Sequence, residues 1–224
     1  GVHYADTEDM MRRLTKEELL RFDGRPLFPE RRARTVKYQL SEGEAALYAA
    51  VTEYVRTEMN RVQRFAEGDG KKRNNVGFAL KILQRRLASS PAAIYQSLKR
   101  RRERLETELG EARLAAKGRR AGIGEPPVSA DVLGNIDEYG QDEIDELEEL
   151  ISTGATTAET VEQLALEVDT LKGLESMALG VLRSGVDTKW TQLNRILDDD
   201  LMIDAAGNRR KLIIFTEPKD TLHY

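Results

Sequence analysis

Apolar residues recur along most of this chain at intervals of three and four, the spacing of helices that bury one face. From residue 90 to about 117, Ile94, Leu98, Leu105, Leu109, Ala112 and Ala116 keep that alternation and form a heptad-like seam. Ser90 followed by Pro91 marks its start, a cap and then a proline at the first helical position. After Thr157 the pattern returns with Val161, Leu164, Val168, Leu171, Leu174, Ala178 and Val181. Each stretch is about 26 residues, roughly 40 Å of helix. Two amphipathic helices of matched length predict an antiparallel coiled-coil-like arm. Their linker holds Gly122, Gly124, Pro126, Pro127 and a short acidic helix near residues 142–151.

Shorter elements flank the arm. Ser41 and Glu44 form a capping box opening a helix to about Phe65, with Leu47, Tyr48, Val51, Val55, Met59 and Val62 on one face. Residues 68–75 read as a loop, and a second helix is predicted from about Asn75 to Ala88 around Phe78, Leu80, Ile82, Leu83 and Leu87. Residues 1–40 read as a connector: a short helix near 7–20, a turn at Asp23-Gly24, and Pro26 and Pro29 holding the backbone extended. Residues 36–40 alternate apolar and polar, which allows either a short strand or a merely extended segment. Near the other end, Trp190, Leu193, Ile196 and Leu197 make an amphipathic turn, followed by an acidic stop at 198–200 and a Gly207-Asn208 loop.

Residues 212–215, Leu-Ile-Ile-Phe, break the helical rhythm. A short run with no polar face is the mark of a strand buried on both sides of a parallel sheet. Thr216, Glu217 and Pro218 then read as an exit into a helix. Nothing else in the chain reads as a parallel partner, so this end is expected to be the first strand–helix unit of a truncated domain. The expected organisation begins with a connector at 1–40 and a helical region with the basic arm helix at 41–118. Next come an acidic linker at 119–156, a second arm helix with a return helix at 157–208, and the new domain's start at 209–224. The fold class is mainly α: a helical bundle with a long antiparallel arm and a short C-terminal β-strand.

Composition changes the picture chiefly through charge. The net charge of −4 hides an asymmetry: residues 1–120 carry 27 Lys and Arg against 17 Asp and Glu, whereas residues 121–171 carry 14 acids and no Lys or Arg. The blocks read either as two solvated helix faces or, since opposite blocks attract across a fold, as an acidic stretch packed near the basic one and competing with an anionic partner. One third of the residues are charged and 6% aromatic, which suits a solvated helical segment better than an enzyme with a large core. Cysteine is absent, excluding disulfides and thiolate sites and matching a cytoplasmic setting. No apolar run reaches the ~18 residues of a membrane span.

The order of segments at the two ends resembles the entry and exit of the inter-lobe region in bacterial Swi/Snf-family ATPases of helicase superfamily 2. Arg12, Arg13, Lys16 and Glu17 resemble the basic segment leaving the first RecA-like lobe. Residues 22–29 (F-D-G-R-P-L-F-P), with Leu40, Ser41, Glu44, Leu47 and Tyr48, resemble the family's next stretch. Asp187 to Lys189, the amphipathic turn, and then K-L-I-I-F-T-E-x-x-D-T-L from Lys211 look like the entry into the second lobe. Lys211, Phe215 and Thr216 would correspond to helicase motif IV. The resemblance implies a parent protein that uses ATP and magnesium to move on double-stranded nucleic acid, with the two lobes as partners of this segment.

The chain itself lacks that chemistry. No G-x-x-x-x-G-K-[ST] phosphate loop occurs. Asp142, Glu143 and Asp145 imitate a D-E-x-D metal box, but polar and acidic neighbours make them an exposed helix start. Two distant histidines leave little material for a triad or a histidine metal site. No catalytic, cofactor or metal residue is expected here, nor ATP hydrolysis. Within the basic arm helix, Arg101 and Arg102 are expected beside the seam, within reach of Glu162, Glu167 or Asp169. Lys99, Arg100 and Arg104 are the candidates for contact with a duplex backbone. The competing reading is a stand-alone coiled-coil adaptor. Exposed apolar backbone at 212–215 also predicts self-association.

Overall fold

In the computed structural model, residues 15–28, 33, 35–64, 70–116, 127–135, 139–199, 202–204 and 206–224 are described. The expectations for residues 7–14, including Arg12 and Arg13, for Pro29 and for the linker's Gly122, Gly124 and Pro126 lie outside them. The chain divides into two units, residues 1–37 and 38–224.

In the first unit a 3₁₀ turn, η1 (Lys16–Glu18), begins where the Thr15 amide donates to the Glu18 carboxylate at 2.8 Å. The chain then doubles back. Arg21 and Arg25 are joined by a backbone hydrogen bond, and Gly24, at φ +76°, takes the left-handed turn that a side chain would resist. The turn expected at Asp23-Gly24 is therefore formed.

The second unit is a helical bundle: α1 (Glu42–Val62), α2 (Gly70–Ser89), α3 (Pro91–Ala116), α4 (Ala130–Gly134), α5 (Gln141–Gly154), α6 (Val161–Ser184), α7 (Thr188–Leu197) and α8 (Lys219–Leu222). Helix α3 packs most extensively on α6, while α2 and α5 lie against α3, and α1 against α2 and α6. The α3–α6 pair is antiparallel, since Arg102 meets Glu175 and, farther along α3, Glu106 meets Lys172. Every apolar residue of the two seams from Ile94 to Ala112 and from Leu164 to Val181 is buried. Burial of Leu98, Leu105, Leu164 and Leu171 is complete, each worth about 1.5–3 kcal/mol relative to exposure.

Helix starts follow local chemistry. The Ser41 hydroxyl accepts from the Glu44 amide while the Glu44 carboxylate accepts from the Ser41 amide, as the capping box requires. Ser90 caps α3 through the Ala93 amide, Thr160 caps α6 and Asp187 caps α7. Gly185, at φ +69°, ends α6 in the left-handed conformation.

Three expectations change. Helix α2 begins at Gly70, so residues 70–75 are helix rather than loop. Lys72 donates to the Ala158 carbonyl, and the buried Asn75 amide donates to the carbonyls of Lys71 and Val128. The two long-range contacts, to Ala158 and Val128, outweigh the poor helix propensity of Gly and Asn. Residues 36–40 form no strand. Residues 212–215 carry no regular structure, and among the described residues no β-ladder exists beyond two isolated bridges, Leu20–Pro26 and Ile203–Arg209. A lone strand with nothing to pair with is not stable. Ile213 and Phe215 are accordingly 75% and 89% exposed.

Candidate functional site

Two polar assemblies stand out, one inside the bundle and one on its surface. The first occupies a gap in the α3 seam. Between Leu98 and Leu105 the apolar alternation skips one position, and Arg101 fills it. Its side chain is wholly buried, not flanking the seam as expected. Arg101 Nη2 donates to Glu167 Oε1 at 2.8 Å, Nε to the Tyr54 hydroxyl at 2.9 Å and Nη1 to the Ser152 carbonyl at 2.8 Å. The Tyr54 hydroxyl donates to Glu167 in turn, and Thr156 donates to the other carboxylate oxygen. One guanidinium thus ties α3 to α1, α5 and α6.

Glu58 continues this centre, accepting from Thr157 and from Arg61. Burial, joined by the negative charge of Glu167, pushes its carboxyl above the ordinary range. Burial likewise pushes the Tyr54 phenol well up, so it remains a neutral donor. Of the three acids expected near Arg101 and Arg102, Glu167 is the partner of Arg101. Arg102 instead bonds Glu175 and Glu106.

The surface assembly is a groove of about 600 Å³ where α2, α3 and α5 meet residues 217–220. Arg85 pairs with Glu148 on α5 and with Glu217 at 2.6 Å. Arg86 pairs with Glu149 at 3.0 Å. Arg100 grips both carboxylate oxygens of Asp220, at 2.9 and 3.0 Å, and lies 3.5 Å from Glu149. Lys219 reaches back to Asp145 at 2.8 Å. The acidic stretch therefore packs on the basic helices, the second of the two readings the charge pattern allows. Partial burial works against the Arg100 charge, but the Asp220 bond and Glu149 outweigh it and hold its proton more tightly than usual. The hydrogen bond from Lys219 to Asp145 raises the ammonium pKa in the same sense.

Among the other candidates, Arg104 is exposed and Lys99 half-buried. Lys211, Phe215 and Thr216 are exposed. Arg100 does not point away into solvent: Asp220 occupies it. Sequence reasoning missed that partner because the two are 120 residues apart and Asp220 lies outside the acidic stretch at 121–171. The groove has four cationic and six anionic linings, a balance of −2, which disfavours phosphate.

The implied ATP and magnesium do not fit these residues. Asp142 and Glu143 lie in the first turn of α5 and Asp145 just after it, with Asp142 almost fully exposed and beside Lys219. Among the described residues no group of three His, Cys, Asp or Glu is placed to hold a metal, and no helix is long and apolar enough to cross a membrane. The groove offers ion pairing rather than a nucleophile with its base. No family model matches the chain, and neither a curated protein nor a solved structure does.

Proposed function

We propose that this chain is the helical segment between the two RecA-like lobes of a bacterial, cytoplasmic Swi/Snf-type translocase acting on double-stranded nucleic acid, and that it braces those lobes. In this reading the α3–α6 pair is the coiled-coil-like arm, and residues 212–215 become the first strand of the second lobe once its sheet is present. ATP and magnesium belong to the lobes. The observation that carries the proposal is the pairing of an unmatched apolar run, 212–215, with an ordered, bundle-anchored segment directly after it. A stand-alone adaptor has no use for four exposed apolar residues in a row, whereas a sheet-based lobe needs them.

Bracing is favoured over gripping the duplex. Arg100, Arg101 and Arg102 are all engaged by carboxylates of the chain itself. Next to Arg104, the outward side of α3 also carries Glu103 and Glu111, which repel phosphate. A minor duplex contact through Lys99 and Arg104 would be weak, indifferent to sequence and lost with added salt.

The test lies in the reading frame that contains this sequence. It should encode a phosphate loop upstream of residue 1 and a lobe with arginine fingers downstream. The full-length product should hydrolyse ATP faster with duplex DNA. A frame lacking both features, or hydrolysis indifferent to duplex, sinks the proposal.

A further inference from the structure

Residues 217–222 touch three helices and bury almost nothing apolar in doing so. Leu222 is 69% exposed, and Phe215 just upstream 89%. Apart from the half-buried Pro218, what holds them is polar. Glu217 pairs with Arg85 on α2, and Asp220 with Arg100 on α3. The Thr221 hydroxyl lies 2.7 Å from that of Ser89 and 2.8 Å from that of Ser90, at the α2–α3 junction. Lys219 sits between Asp142 and Asp145 on α5. The signs alternate along this short segment, negative at 217, positive at 219 and negative at 220, and each meets its opposite on a different helix. A displaced register would set like charges together.

We infer that residues 217–222 are an ionic clasp that fixes the apolar run at 212–215 to the helical bundle, so that any sheet built on that run moves with α2, α3 and α5 as one body. The identity of that sheet rests on the proposed function; the clasp itself does not. Arg85 and Arg100 are spent on it, and with the groove's balance of −2 they take no phosphate. The brace is therefore attached to one lobe firmly. Relative motion between lobes falls on the other side of the segment.

Hydrogen exchange on this chain reads the clasp directly. The amides of Thr221 and Leu222 donate to the Pro218 carbonyl, and that of His223 to Lys219, so their exchange slows only while the segment is ordered. Arg100→Glu should speed exchange at 221–223 by about fivefold or more, the scale of a good partly exposed pair. Combining Arg100→Glu with Asp220→Arg should restore it. Lys219→Glu, in α8 itself, should accelerate exchange without altering a residue of α3, and salt of about 1 M should do so in the unaltered chain. Unchanged exchange in Lys219→Glu and in high salt overturns the clasp, as does failure of the swapped pair to restore protection while the bundle keeps its circular dichroism. Failure here leaves the reading-frame result standing, and a negative reading frame leaves the clasp standing.

Discussion

Glu167→Ala should be among the most damaging single substitutions in this protein, and the reason lies in Arg101. The guanidinium is wholly buried, and Glu167, itself 1% exposed at the side chain, is its counter-charge. Removing the carboxylate leaves a buried cation that cannot shed its proton, and it takes the acceptor from both Tyr54 and Thr156. Breaking a buried pair in this way costs about 3–5 kcal/mol. In a domain this size each kcal/mol moves the melting temperature by about 2–4 °C, so a fall of roughly 6–20 °C is expected. Arg101→Met, Glu167→Leu and Tyr54→Phe together remove the charges and the coupled hydroxyl, and should return stability to the starting value or above it. Urea unfolding followed by circular dichroism measures all of these variants on one scale. A loss below about 1 kcal/mol for Glu167→Ala, the size of a surface pair, would mean that water reaches Arg101 and the reasoning fails. A triple variant as weak as the single would equally show that the buried charge is not the source.

Leu105 is fully buried in the α3–α6 seam, so Leu105→Asp should cost several kcal/mol in the same assay, whereas exposed Arg104→Glu should stay within about 0.5 kcal/mol. Glu58 has a folded-state pKa raised by burial, so the folded chain holds that proton more tightly than the unfolded one. Its contribution is full below the ordinary carboxylate value of 4.5 and is lost as pH rises through the raised value, and Glu58→Gln should flatten stability over that window in melts taken across pH. Glu44 has the opposite sign: although burial opposes it, bonds from Ser41 and Thr188 lower its pKa, so the stability it lends fades as pH falls. Truncation after Asn208 should reduce self-association in sedimentation without loss of helix from α1 to α6, because it removes the exposed apolar run at 212–215.

The helical class and most helix starts were legible in the chain because they depend on neighbours three and four residues apart. The helices that begin at Pro91 and Val161 and the Ser41 capping box are of this kind, and all are formed. The gap between Leu98 and Leu105 was legible too, but its meaning was not. Whether an arginine at a seam position turns outward or is buried depends on whether Glu167, Tyr54 and the α5 carbonyl of Ser152 converge on it, and those groups lie 47 to 66 residues away. The same limit applies to residues 70–75. Their local preference is for a loop, and contacts with Val128 and Ala158 made them helix. At 212–215 the pattern marked a strand that the described structure does not form, because a strand exists only when another backbone supplies the hydrogen bonds, and none of the described segments does. Charge blocks allowed attraction between the acidic and basic stretches. The choice of Asp220 for Arg100 and Glu148 for Arg85 came from the bundle's geometry, since long-range ion pairing selects whichever partner packing brings within reach.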